Sequence, residues 1–309
     1  MKPIALAIHG GAGTLRKGTM TLEKEKEYKD ALKLALEQGY AVLENNGSAV
    51  TAVETAVKIL EDSPLFNAGK GSVFTAEGTH EMDAAIMEGN TLNAGAVSLI
   101  TGIKNPVSLA RDVMEKSEHV FLAGEGAMRF ANDQGYLLEN EDYFRDELRY
   151  NQWQQIRGSD NFQLDHSVKK DSKFGTVGAV ACDSSGDIAA ATSTGGMTNK
   201  KWGRVGDSPM IGAGNYANNK TCAVSCTGSG EFFIRGVVAY DVSCLMEYKG
   251  LTLEEATEEV IQRRVLSIGG DGGLVAIDAQ GNIAMPFNTE GMYRAKIDTS
   301  GITEIAIYK

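Results

Sequence analysis

Proline is scarce in this chain, with 5 in 309 residues, and so are tryptophan, with 2, and histidine, with 4. The 4 cysteines (Cys182, Cys222, Cys226 and Cys244) all fall in the second half, without CxxC spacing and without a neighbouring histidine cluster. That spacing argues against a zinc site. With no secretion signal in view, reduced core thiols and a cytoplasmic location are expected. The opening MKPIALAIHGGAG carries one lysine and a six-residue apolar run. Such a run is too short for a signal h-region or a membrane span. Basic charge is short as well: 30 Lys and Arg against 41 Asp and Glu leave a net charge of −11. An acidic chain is not built to coat nucleic acid or anionic membrane, so neither is expected as a partner. A carboxylate substrate would need a local Arg or Lys working against the overall field.

What is present is glycine, 36 residues of it, without a Gly-X-Y period or a low-complexity tract. Collagen and disorder are excluded, and tight turns with close backbone approaches are implied. The pattern predicts helices over Leu22–Asn46, from a Ser48 cap to Leu60, and from an Asn105-Pro106 cap to Lys116. One longer helix is expected over Glu231–Tyr248, and another after a Thr252/Glu255 capping box as far as Val265. Short strands are expected at Ile4–His9, His80–Met87, Ala94–Ile100, Thr176–Cys182, Ile188–Thr192, Cys222–Cys226, Gly273–Ile277 and Ile283–Pro286. This order is not a βαβ alternation. It predicts an α+β fold of antiparallel sheets carrying helices, in a single domain over 1–309. The stretch Tyr150–Ser172 is polar, with little periodicity, and reads as a long flexible linker.

The hairpin after that stretch carries a geometric clue. Its turn centres near Ser185, so Thr176 and Thr194 are equidistant from it and face each other across the strands. Cross-strand threonine pairs are common as structure alone. Thr176, however, follows a glycine at the exit of a long polar loop. A threonine hydroxyl needs a base, and its own α-amino group can serve if the chain is cut just before it. Gly175 permits the strained backbone that attack on its own carbonyl requires. The same hairpin is echoed 95 residues later: 11 of 24 positions match between Phe174–Met197 and Gly269–Met292. Asp-x-x-Gly turns converge often, so a shared turn chemistry explains the echo as well as an internal repeat does.

Seven segments in order, IHGGAGT (Ile8–Thr14), PLFNAGKGSVFT (Pro64–Thr75), MDAAIMEGNTLNAGAV (Met82–Val97), GTVGAVA (Gly175–Ala181), TSTGGMTNKKWGRVGDSPMIGAGNYA (Thr192–Ala217), SCTGSGE (Ser225–Glu231) and PFNTEGMYR (Pro286–Arg294), resemble the plant-type asparaginases, also called isoaspartyl aminopeptidases. These are N-terminal nucleophile hydrolases. The resemblance implies an αββα sandwich that cuts itself between Gly175 and Thr176. It would leave pieces 1–175 and 176–309 that assemble as a homodimer of cleaved heterodimers. Thr176 resembles the nucleophile and Thr194 the threonine that supports it. Arg204 and Asp207 in GRVGDSP resemble the pair that grips the substrate's α-carboxylate and α-ammonium, with Gly230 in the same substrate loop. Thr227 and Gly228 resemble the oxyanion donors, and Asn67 an asparagine near that site. The main-chain carbonyls of Leu60, Glu61, Ser63, Phe66, Ala68 and Lys70 resemble a loop that holds a structural sodium ion, and no catalytic cofactor is implied. The implied substrates are L-asparagine and β-aspartyl dipeptides.

Alternatives stay open at this point. A glycosylasparaginase would share the nucleophile logic, although its strand pattern resembles DTIGMVA rather than GTVGAVA. A member of the fold that never cuts itself is another. Gly69-Lys70-Gly71-Ser72 lacks the rest of a P-loop, so a phosphate-binding module is disfavoured. Asp271 departs from the pattern, standing at the echo position of Thr176, and Lys201-Trp202 departs from it at the pocket rim. His80, His119 and His166 stand alone and receive no role.

Overall fold

The first two helices start where their caps dictate. Thr21 accepts from the Lys24 amide and Ser48 from the Thr51 amide, satisfying amides that the first turn leaves free. The computed structural model describes residues 3–158 and 175–309. In chain order the elements are β1 (Ala5–Gly13), α1 (Leu22–Glu44), α2 (Ala49–Glu61), β2 (Met82–Glu88), β3 (Ala94–Ile100), α3 (Pro106–Lys116), β4 (Phe121–Ala123), α4 (Gly124–Asp133), α5 (Glu141–Phe144) and α6 (Glu147–Ile156). The second half continues with β5 (Val177–Cys182), β6 (Ile188–Thr194), β7 (Asn215–Ala217), β8 (Cys222–Gly228), α7 (Gly230–Gly236), α8 (Val238–Lys249), α9 (Leu253–Glu258), β9 (Gly272–Asp278), β10 (Ile283–Ala284), β11 (Gly291–Ile297) and β12 (Thr303–Tyr308).

The strands form two sheets. One has the order β12-β11-β1-β5-β6-β2-β3-β4, the other β10-β9-β8-β7. All pairings are antiparallel except β3 with β4. Three buried apolar clusters separate four layers. The first, with Leu32, Leu36, Val53 and Val57, lies between α1–α2 and the larger sheet. The second, with Ala5, Ala7, Val180, Ala190, Ala223 and Val275, lies between the sheets. The third, with Phe233, Val242, Val260 and Ile261, lies between the smaller sheet and α7–α9. This is the expected αββα sandwich. The middle layer is rich in alanine, which lets the sheets approach closely.

Several boundaries differ from expectation, each for a local reason. β1 does not end at His9: it shifts register between His9 and Gly11 and runs on to Gly13. A bulge of this kind lets a strand continue past a kink. Asn105 stands at the N-cap of α3 with Pro106 in its first turn, as expected, but its side chain caps no amide; the Val107 amide is taken instead by Glu61 Oε1 at 3.0 Å. The helix expected over Glu231–Tyr248 is two helices, broken at Val237, which has φ 48° and ψ 47°. The break lets the Ala239 and Tyr240 amides donate to the Ala213 and Gly212 carbonyls. The polar stretch beginning at Tyr150 is helical at first. Asp146 caps α6, and Trp153 stacks on Phe74 at 5.5 Å between ring centroids. Residues 159–172 of that expected linker lie outside the described residues. After Glu258 the chain winds as a π-helix through Val265, so the capping-box helix ends where expected.

The echo resolves into turn chemistry. Asp183 Oδ1 accepts from the Ser185 and Asp187 amides, and Asp278 Oδ1 from the Gln280 and Asn282 amides. Asp298, which lies outside the echo, does the same with Ser300 and Ile302. Three Asp-x-x-Gly turns close three hairpins by one local mechanism.

Candidate active site

The pocket opens where the C-terminal ends of β6 and β8 meet the start of β5. Gly175, Thr176, Thr194, Arg204, Asp207, Ser208, Thr227 and Gly228 line it, together with Asn67 and Gly196. Val177 pairs with Ser193 and Gly178 with Thr192, so Thr176 and Thr194 face each other as the turn symmetry requires. The Thr176 hydroxyl donates to the Thr194 hydroxyl at 3.1 Å. Thr194 Oγ1 in turn accepts the Gly196 amide at 3.1 Å. The Ser208 hydroxyl lies 3.4 Å from Thr176 Oγ1. Ser208 was missed in the sequence, although it directly follows Asp207 in GRVGDSP.

The loop between β6 and β7 supplies the charges. Arg204 pairs through Nε and one terminal nitrogen with both carboxylate oxygens of Glu231, at 2.9 and 3.0 Å. Burial alone would raise the Glu231 pKa, but the Arg204 pairing outweighs it and holds it below the usual range. Asp207 is buried and its Oδ2 has no hydrogen-bond partner among the described residues. Burial pushes its pKa up to about 7, against the lowering effect of Arg204. An unsatisfied buried carboxylate oxygen is costly unless a ligand donor meets it. Gly230 fits between the two groups: a Cβ there would stand 2.8 Å from Asp207 Oδ1 and 2.9 Å from an Arg204 nitrogen.

Asn67 ties the floor together. Its Nδ2 donates to the Gly196 carbonyl at 2.7 Å and its Oδ1 accepts the Val73 amide at 3.1 Å. Thr227 Oγ1 stands 3.1 Å from the point where a Cβ on Gly175 would lie, so its hydroxyl flanks that residue. Gly228 pairs with Gly272 in the β8–β9 ladder. Asp271 is not a loose carboxylate: its Oδ1 accepts the Ser229 hydroxyl and its carbonyl accepts the Ser229 amide. It thereby braces the loop that follows Thr227 and Gly228.

Two further residues went unread in the sequence. His9 is buried, with Nδ1 at 3.0 Å from the Thr176 carbonyl oxygen and Nε2 at 2.9 Å from Ser225 Oγ. Desolvation pushes its pKa down to about 3, against the raising effect of the Thr176 contact. The only signal was position, just before the two glycines that end the first apolar run.

The expected ion loop runs from Leu60 to Lys70. Carbonyls of Leu60, Phe66 and Ala68 already accept amides of Ser63, Ala68 and Gly71. The Glu61 carbonyl lies 2.5 Å from where a Gly69 Cβ would be, and the Phe66 carbonyl 2.1 Å from that of Gly71. Glycine is therefore needed at 69 and 71 for these carbonyls to approach the chain so closely. Neutral carbonyl donors of this kind suit a hard monovalent cation, since a divalent one favours carboxylates. Among the described residues no cluster of three or more His, Cys, Asp or Glu could hold a metal.

The arrangement offers a threonine hydroxyl held by a second threonine, a guanidinium, and a buried carboxylate with one oxygen unpartnered among the described residues. Residues 1–307 match the model of the family described as asparaginase. The chain belongs to the asparaginase family. It is 52% identical over 298 residues to the isoaspartyl peptidase of Salmonella typhimurium, covering 96% of this chain and 95% of that protein. It is 53% identical over 298 residues to the isoaspartyl peptidase of Escherichia coli, covering 96% and 93%. It is 42% identical over 302 residues to the plant-type L-asparaginase of Pyrococcus abyssi, covering 94% of each. A small-molecule substrate fits this family. Among the described residues no helix is long and apolar enough to cross a membrane.

Proposed function

We propose that this chain hydrolyses β-aspartyl amide bonds, converting L-asparagine to aspartate and ammonia and β-aspartyl dipeptides to aspartate and an amino acid. The observation that carries the reading is the buried, unpartnered Asp207 Oδ2, in the same pocket as Arg204 and the Thr176 hydroxyl. An aspartyl residue with a free α-ammonium and α-carboxylate matches that pair, and its side-chain carbonyl is then presented to Thr176. Glu231 takes the Nε side of Arg204 and leaves its other terminal nitrogen to meet a carboxylate, and an Asp suits an ammonium.

The chain first cuts itself between Gly175 and Thr176. The freed Thr176 amine then takes the hydroxyl proton, and the hydroxyl attacks the substrate carbonyl to form an acyl-enzyme. Thr227 and Gly228 stabilise the oxyanion, a contribution of roughly 10²–10³ in turnover for one donor. Departure of ammonia or an amino acid precedes hydrolysis of the acyl-enzyme by water. A sodium ion on the Leu60–Lys70 loop is part of the reading; it would steady the backbone that carries Asn67. So are pairing of two cleaved heterodimers and a cytoplasmic location. A glycosylasparaginase-type amidase would use the same threonine, but the relatives reported above are named isoaspartyl peptidase and plant-type L-asparaginase.

Two measurements test this. On a denaturing gel the purified chain should resolve into pieces of 175 and 134 residues (309 minus 175), and Thr176→Ala should stay whole. β-Asp-Leu should be cleaved and α-Asp-Leu refused, because an α-peptide has no free α-carboxylate for Arg204. Similar rates for the two would sink the roles of Arg204 and Asp207.

A further inference from the structure

The β1–β5 ladder stops at His9–Gly178, two residues short of Thr176. Beyond it β1 is bulged, and the His9 ring reaches the Thr176 carbonyl in its place, at 3.0 Å. His9, Gly178 and Thr192 form one row across β1, β5 and β6. Gly178 leaves a gap in that row. Ser225 from the opposite sheet fills it: a Cβ on Gly178 would lie 1.9 Å from Ser225 Oγ and 2.5 Å from His9 Nε2. Ser225 Oγ is also 2.7 Å from Thr192 Oγ1. Thr192 Oγ1 receives the Asn215 side-chain amide at 3.0 Å and stands 3.2 Å from the Gly214 carbonyl.

These contacts can be counted as protons. Four of them each need one: His9 with Thr176, His9 with Ser225, Ser225 with Thr192, and Thr192 with Gly214. A neutral imidazole and two hydroxyls supply three. Burial keeps His9 neutral, so one contact goes without. If Nε2 held the ring proton, the Nδ1 lone pair would face the Thr176 carbonyl oxygen at 3.0 Å, acceptor against acceptor. Leaving the 3.2 Å contact empty costs little, because the Gly214 carbonyl already accepts the Cys226 amide at 2.9 Å.

We infer that His9 is a positioning residue for the nucleophile. Its Nδ1–H holds the Thr176 carbonyl, and the Thr192–Ser225 relay of hydroxyl protons keeps Nε2 bare. The role rests on Thr176 being the nucleophile. Fixing the carbonyl fixes the Cα–C bond of Thr176, and with it the directions of the hydroxyl toward Thr194 and of the nitrogen toward Gly175. Misplacement by about 1 Å at such a group can cost on the order of 10² in rate.

The test separates the two ring nitrogens. His9→Asn places an amide N–H near the Nδ1 position and restores the Thr176 bond. His9→Gln places its amide near the Nε2 position and restores only the Ser225 bond. Both are compared with wild type in the full chain, by gel for self-cleavage and by steady-state hydrolysis of L-asparagine. His9→Asn should cut itself and keep kcat within about tenfold, whereas His9→Gln should lose on the order of 10² in kcat with little change in KM. Nitrogen-15 shifts of His9 in wild type should show a neutral ring protonated on Nδ1, and this reading needs no variant to fold. Equal activity of the two variants, or a ring protonated on Nε2, would overturn the inference while leaving the proposed function standing. A wild type that neither cuts itself nor hydrolyses L-asparagine would overturn the proposed function, and the role of His9 with it.

Discussion

At the Thr176 end of the pocket three hydroxyls are held in place: Thr176 with Thr194, Thr194 with the Gly196 amide, Ser225 with His9 and Thr192. At the Arg204–Asp207 end a buried carboxylate oxygen is left without a partner. The first end is carried by paired strands, the second by the loop between β6 and β7. A group that must hold one orientation through the reaction is best locked by its neighbours. A group that must recognise a ligand is better left with a bond unmade until the ligand arrives, since the incoming charge then relieves an existing cost.

That contrast can be broken at its rigid end most severely. Gly178→Ala drives a methyl group into Ser225 Oγ and His9 Nε2. Overpacking of this kind costs roughly 1–3 kcal/mol, to be read by denaturant unfolding. Hydrolysis should fall further than stability does, by about 10² or more. Unchanged activity would show that the buried row is only packing.

The recognition end should respond to pH rather than to packing. Asp207 titrates near 7 because burial raises it. Below that pH it is protonated and offers no charge to a substrate ammonium. As pH rises through about 7 it ionises, so KM for L-asparagine should fall, by roughly tenfold between about pH 6 and pH 8. Asp207→Asn should raise KM and flatten that dependence. A KM in wild type that does not move with pH would count against an ammonium partner for Asp207.

The smallest effect is expected at the ion loop, which touches the pocket only through Asn67. Exchange of sodium for a large organic cation should lower the melting midpoint by a few degrees, as loss of a weakly held ligand of the folded state does. Identical midpoints in the two salts would remove the ion from the reading.

Local and symmetric features were legible in the sequence. The Thr176–Thr194 contact followed from counting outward from the Asp183 turn, because antiparallel register is set by the turn. The Thr252–Glu255 capping box is complete in the structure. Seven of the eight expected strands lie within two residues of their place, whereas β4, β7, β11 and β12 carried no expectation. What stayed hidden depends on distant partners. His9 and Ser225 are 216 residues apart and meet only because the sheets stack. The break at Val237 answers carbonyls contributed by Gly212 and Ala213. α6 looked like loop because it has no regular apolar stripe, and two of its apolar residues, Tyr150 and Trp153, are aromatic rings packed on Phe74.

The strand order of the larger sheet has a consequence for a chain severed before Thr176. β1 belongs to the first piece, yet it is hydrogen-bonded on one side to β11 and on the other to β5, both from the second. β6 of the second piece is likewise zipped to β2 of the first. The two pieces therefore interlock like the fingers of two hands, and parting them means tearing three ladders open at once. The peptide bond matters while the sheet is being assembled, when it keeps both partners at high local concentration. Once the sheet has closed the bond is redundant. The molecule can give it up to expose an amine and remain one body.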